Sequence, residues 1–220
     1  MDAPAFDHQL ASLALRLRAG LPGVETMATM APLGRGQLSL TEARAAGCRE
    51  AAALALLYPV DGRAHTVLTL RRPDLPHHAG QVSLPGGRCH DGEDALDCAV
   101  REAWEELAVP PTELAILGPL TPLFIAPSGH CVQPFLAALP ARPVFRPHPG
   151  EVAEVIELAL DRLADPATRR LETWQLAGDA REVPFFAVGE HKVWGATAMV
   201  LAELAELWRS VAAADPSAPG

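Results

Sequence analysis

The chain has 220 residues, 49% of them apolar, and a formal net charge of −9: ample apolar content for one packed domain, and the wrong sign of charge for a general nucleic-acid binder. No apolar run approaches the roughly eighteen residues of a membrane span, and MDAPAFDHQLASLALRLRAG makes a poor signal peptide, with acids among its first residues and no clean apolar region, so a soluble, cytoplasmic protein is expected. Cys48, Cys89, Cys98 and Cys131 show neither CxxC pairing nor the density of a disulfide scaffold, and are read as reduced thiols rather than zinc ligands.

In chain order, Phe6, Leu10, Leu13 and Leu17 share one face of a helix over residues 5–19, followed by a Gly/Pro-punctuated stretch through Gly36 and a short helix over 41–47. The apolar runs 51–60 and 65–72, separated by the turn pair Asp61-Gly62, read as paired strands, and 81–84 as a short strand delivering the chain to Pro85-Gly86-Gly87. A helix is expected over 93–107, with Asp91 at its N-cap and Pro110-Pro111 blocking continuation. Residues 113–125 and 131–139 read as strands flanking Pro127-Ser128-Gly129-His130, 140–150 as a Pro/Arg-rich loop, and 151–160 as a strand leading into a short helical turn that Asp165-Pro166 ends. A hairpin follows over 170–176 and 183–188, and a closing helix begins at Gly195 and runs to about 211. Strands, helix, strands, helix suits an α+β fold with a mixed sheet between helices. The organisation predicted is a helical arm over 1–45, one domain over 46–210 and a flexible tail over 211–220.

The stretch GGRCHDGEDALDCAVREAWEELAV (86–109) concentrates the chemistry. Glu102, Glu105 and Glu106 stand at i, i+3 and i+4, within roughly a 100° sector of one helix, while Leu96, Ala99, Val100, Ala103 and Leu107 form an apolar back. Three like charges so placed repel one another, and a cation is the natural compensation. Carboxylate oxygens are hard ligands suited to Mg²⁺, which takes one or two protein carboxylates plus substrate phosphates.

Read whole, Gly87, five residues, Glu93, seven residues, Arg101-Glu102, then Glu105-Glu106 and Val109 resembles the Nudix box, G-x5-E-x7-R-E-U-x-E-E-x-G-U with U a bulky aliphatic residue. Two positions depart: Ala103 stands where a larger aliphatic is usual, and Ala108 replaces a glycine, costing up to about 1 kcal/mol if it must adopt a left-handed conformation. Upstream, Leu68-Thr69-Leu70-Arg71, Leu75, His78, Gly80-Gln81-Val82-Ser83 and Pro85-Gly86-Gly87 look like the additional signature of the coenzyme A pyrophosphatase branch, close to LLTxRS, three residues, R, three residues, GxVSFPGG. Val67, Arg72, Pro76 and Leu84 stand where Leu, Ser, Arg and Phe are usual in it. The absent arginine at 76 is the departure that bears on anion binding, with Arg72 as a compensating candidate. LGPLTPLFIAPSGHCVQPFLAAL and HKVWGATAMVLAEL extend the similarity over about 50–208.

The resemblance implies a Nudix-like α/β/α sandwich with a mixed central sheet, and hydrolysis of coenzyme A or its derivatives to 3′,5′-ADP and 4′-phosphopantetheine with Mg²⁺ or Mn²⁺. It makes Glu102 and Glu106 metal ligands, Glu105 a third ligand or the base that orients water, Gly86 a carbonyl donor to the same metal, and Glu93 a supporting group or ligand of an additional ion. Arg101 would pair with a box glutamate and fix the helix to its loop. Arg71, Arg72 and His78, beside His77, are candidates for substrate contact, and Glu151 or Glu154 for a base outside the helix. A nucleotide sugar, ADP-ribose or a nucleoside triphosphate is the alternative substrate. A non-catalytic Nudix-fold module is the alternative class, and it predicts eroded ligands. No nucleic-acid or membrane partner is expected; a homodimer through the arm and the closing helix is an open possibility.

Overall fold

The structure, a computed structural model, describes residues 3–32, 39–76, 78–176 and 178–212; the tail from 213 onward lies outside them. Its centre is an eight-stranded mixed sheet built from β1 (Arg49–Val60), β2 (Arg63–Arg71), β3 (Val82–Ser83), β4 (Gly86–Arg88), β5 (Ala115–Pro119), β6 (Leu123–Ile125), β7 (His130–Ala138) and β8 (Val152–Ala159). The spine runs β3-β2-β1-β7-β5, with β4 on β1, β6 on β7 and β8 on β2. β1 and β7 pair in parallel and the other pairs are antiparallel. Asp61, with φ of 47°, and Gly62 close the β1–β2 hairpin, the left-handed pair that a tight hairpin demands.

β1 is apolar on both faces because both are covered. Ala52, Leu54, Leu56 and Tyr58 pack with Cys98, Ala99, Ala103 and Leu107 of α4 (Ala95–Leu107). Ala55 and Leu57 point the other way, into a larger core shared with α1 (Ala3–Ala19), α6 (Gly195–Ala212) and a second, antiparallel sheet of β9 (Arg169–Leu176), β10 (Asp179–Val188) and β11 (His191–Trp194). Two helix layers thus enclose the mixed sheet. Phe6 and Leu13 of α1 are buried in that larger core, so the N-terminal helix packs against α6 instead of standing apart.

Several expectations need correction. The stretch through Gly36 contains a further helix, α2 (Gly23–Ala28), whose first amide donates to the Glu203 carboxylate of α6 at 3.0 Å. α3 (Leu40–Ala45) is closed by a Ser39/Glu42 capping box. Residues 113–125 are not one strand but two, split before Thr121, whose amide and hydroxyl both donate to Glu203. β11, not foreseen, precedes the closing helix, whereas the short helical turn expected after β8 is present as α5 (Leu160–Ala164), with Asp165 at its C-cap. Cys48 and Cys131 form a disulfide across 83 residues, overturning the reading of four reduced thiols; the parallel register, with Glu50 opposite Cys131, brings them together, and only Cys89 and Cys98 remain free.

Candidate active site

Three backbone features place the acidic helix. Asp94, not Asp91, is its N-cap, its carboxylate accepting from the Leu96 amide at 2.8 Å. At the far end Ala108 adopts the left-handed conformation, φ 57° and ψ 36°, the geometry for which a glycine is the unstrained choice. The loop before β8 then folds over the last turn: Arg146 and His148 donate their amides to the Leu107 and Glu106 carbonyls at 3.0 and 2.8 Å, satisfying acceptors that the helix leaves open.

Gly86 and Gly87 of β4 run between β1 and the helix. A Cβ at Gly86 would stand 2.4 Å from the Ala52 carbonyl oxygen, and one at Gly87 would stand 2.6 Å from the Glu102 carboxylate. Only glycine lets the helix carboxylates approach this backbone so closely.

Arg101 organises the N-terminal half of the site. Its guanidinium grips Glu93 at 2.7 and 2.9 Å, Glu102 at 2.8 Å and Glu105 at 3.1 Å, and donates to the Arg88 carbonyl at 3.1 Å. Its charge is held on more firmly than usual by Glu93 first, and Glu93 is in turn pulled down to about 2 by the Arg101 hydrogen bonds. Glu93 is therefore spent on the arginine, and Glu105 is half-exposed at its edge.

Glu106 is different. Its side chain is 3% exposed, Oε2 has no hydrogen-bond partner, and Arg71 Nη1 stands 3.8 Å from Oε1. Burial pushes the carboxyl up to about 8, with the nearby Glu102 adding to the shift, Arg71 opposing it and Glu151 raising it further. Glu102 is also raised, first by burial. Such a carboxylate wants a cation. Glu102 and Glu106, with the backbone at Gly86-Gly87, offer the hard oxygen donors that Mg²⁺ or Mn²⁺ takes, so the residues present fit the ion. Among the described residues, the three helix glutamates do not converge to a ready cage; the tight groups of possible ligand atoms are Cys48-Glu50-Cys131, already a disulfide, and Cys89-Glu93-Cys98.

Of the remaining candidates, the structure brings in Arg71 and Glu151, whose carboxylate is 3.9 Å from Arg71 Nη1. It does not bring in Arg72, whose fork is bound by Asp74 at 2.7 and 2.9 Å and by the Pro149 carbonyl at 2.8 Å. Glu154 pairs with His191 at 3.3 Å on the face of the sheet away from α4. His78 lies in the 73–80 turn with φ of 55°, its ring bonded to Gln81 at 2.9 Å; His77 lies outside the described residues. Residues 127–129 form the turn into β7. A groove of about 700 Å³ lined by Arg72, Pro73, Asp74, Pro147, Pro149, Val152 and Ala153, its two charged residues paired with each other, opens beside Glu151. Sequence reasoning missed the capping loop's hold on Glu106, since its signal is a pair of backbone amides, and it missed Arg49 and Arg88, treated below.

Comparison with known proteins decides the family: the NUDIX domain matches residues 49–176, more than half of the chain. The chain belongs to the Nudix family. It is 37% identical over 141 residues to the uncharacterized Nudix hydrolase NudL of Pectobacterium atrosepticum, covering 63% of this chain and 72% of the relative. It is 33% identical over 154 residues to the NudL of Escherichia coli strain K12, covering 69% and 80%. The solved Nudix hydrolase RenU of M. smegmatis superposes with a TM-score of 0.49 at 21% identity, over 78% of this chain and 90% of that one. The protein is thus a Nudix hydrolase, and the acidic helix with its Gly-Gly strand is its Nudix motif. No helix among the described residues is long and apolar enough to cross a membrane.

Proposed function

We propose that this Nudix hydrolase cleaves the diphosphate of coenzyme A or its derivatives, giving 3′,5′-ADP and 4′-phosphopantetheine. The observation that carries the chemistry is Glu106, a buried carboxylate with one oxygen unpartnered, beside Glu102 and under Arg71. The observation favouring coenzyme A is the signature from Leu68 to Gly87, whose residues form β2, the 73–80 turn, β3 and the Gly-Gly strand around that carboxylate.

Glu102 and Glu106 would hold the divalent ion, with the Gly86 carbonyl and Glu105 completing its protein donors. When bound, Mg²⁺ or Mn²⁺ supplies charge neutralisation on the diphosphate and a more acidic water. Arg101 holds Glu102 and Glu105 in place and, through Glu93 and the Arg88 carbonyl, locks the helix to the Gly-Gly strand. Arg71 lies between Glu106 and Glu151, placed to meet a phosphoryl oxygen. Glu151, 3.9 Å from Arg71 Nη1, is the candidate outside the helix to accept a proton from the attacking water. The Pro-lined groove beside it suits the uncharged pantetheine arm.

Incubation with Mg²⁺ or Mn²⁺ and a panel of coenzyme A, ADP-ribose and dinucleotides, with products resolved by chromatography, tests the reading. Release of 3′,5′-ADP from coenzyme A is expected; good turnover of ADP-ribose with none of coenzyme A would overturn the specificity.

A further inference from the structure

Three basic groups gather where β4, β1 and β7 run side by side. Arg49 opens β1 and its register partner on β7 is His130. Arg88 closes β4 opposite Ala51, two residues from Arg49. Alternate residues of a strand point the same way and paired residues share a face, so Arg49, Arg88 and His130 stand on one face. Diagonal neighbours on adjacent strands lie about 7–8 Å apart, within reach of arginine side chains. Arg49 donates to the Ser128 carbonyl and stands 4.0 Å from where a Gly129 Cβ would be. His130 is held below its usual range by partial burial first, and then by neighbouring positive charge, Arg49 foremost.

These groups have no acidic counterweight. Among the described residues, no ion pair includes Arg49, Arg88 or His130. Arg16, Arg18, Arg146, Arg169 and Arg170 also stand outside any ion pair; what marks Arg49 and Arg88 is their place, on one face of adjacent strands with His130 and with no carboxylate paired to them. Clustered like charges on neighbouring strands disfavour the fold unless an anion is bound among them. Arginine forks with an adjacent imidazole make a matching donor set for a phosphate dianion. The location is also specific. Arg88 directly follows Gly87, which faces Glu102 from the other side of the same strand, so one short strand separates the basic cluster from the acidic one.

We infer that Arg49, Arg88 and His130 form a binding site for a phosphomonoester, and that it takes the 3′-phosphate on the nucleotide half of coenzyme A. The second half of this assignment rests on the function proposed above. The site holds the nucleotide by a charge that lies outside the scissile diphosphate, and so distinguishes coenzyme A from otherwise similar diphosphates that lack a phosphomonoester.

The test compares coenzyme A with 3′-dephospho-coenzyme A on the full chain and on Arg49→Gln/Arg88→Gln, both exposed positions. The wild type is expected to show a KM for coenzyme A at least about tenfold below that for the dephospho form. The double variant should raise the first KM to the level of the second and leave kcat/KM for the dephospho form unchanged. Equal losses on both substrates, or no loss, overturn the site. Should neither compound be cleaved, the site is read without turnover: 3′,5′-ADP, but not 5′-AMP, should move the His130 imidazole resonances of the cation-free protein. Unmoved resonances, or equal responses to the two nucleotides, refute it independently of the reaction.

Discussion

Glu106 is a carboxylate that the fold buries before anything is there to neutralise it. Its acid form is favoured up to about pH 8, against an ordinary 4.5, because burial disfavours the charge. A carboxyl raised on folding contributes stability in full below its unfolded value and loses it as pH climbs through the folded one. In the cation-free protein, stability should therefore fall between about pH 4.5 and 8, by on the order of a few kcal/mol. Denaturant midpoints recorded across that range in the presence of a chelator check it. Glu93 has the opposite sign: lowered to about 2 by Arg101, it contributes above pH 4.5 and loses its contribution as pH falls toward 2. Glu106→Gln keeps the shape and removes both the titration and the ion's ligand. It should flatten the alkaline slope while cutting the hydrolysis rate by orders of magnitude; a preserved rate would refute the ligand assignment.

At the scale of the element, α4 has one fault, at its C-terminal end. Ala108 must be left-handed for the chain to turn into Val109, where its methyl group is strained. Ala108→Gly should stabilise the protein by about 0.5–1 kcal/mol, the gain from relieved strain exceeding the added chain entropy, as read by thermal unfolding. Asp94→Ala removes the cap bond at the other end and should cost about 1 kcal/mol. Both changes leave the carboxylates untouched, so activity at saturating cation should be retained; loss of activity in the Ala108→Gly protein would mean that the turn also orients Glu106.

Over the whole molecule, two long-range ties hold the sheet in its frame. The Cys48–Cys131 disulfide closes a loop spanning 83 residues of sequence separation across the parallel β1–β7 pair. On chain-entropy grounds it is worth about 4 kcal/mol, so Cys48→Ser/Cys131→Ser should lower the unfolding midpoint well below that of the parent. The parent under a reductant should follow the same curve. Glu203 is the second tie, wholly buried, accepting from Gly23 and Thr121 and thereby joining α6 to α2 and to the β5–β6 link.

Local patterns in the chain were sufficient for the hairpin at Asp61-Gly62, the acidic helix and the family motif, because each depends on residues within about one helix length of one another. The spacing from Gly87 to Glu106 places the carboxylates on one sector whatever surrounds them. The departure at Ala108 was equally visible, since a left-handed cap is a local demand. Tertiary structure alone decided the rest. Arg72 and Arg71 are adjacent and chemically alike in sequence, yet Asp74 and Pro149 claim the first while the second reaches Glu106. Cys48 and Cys131 were unpairable on paper until the parallel register set them side by side. Arg49, Arg88 and His130 span 82 positions and share no spacing; a common face exists for them only once β4 and β7 both lie against β1. Periodicity is a property of one segment, whereas ion pairing and burial are properties of segments brought together.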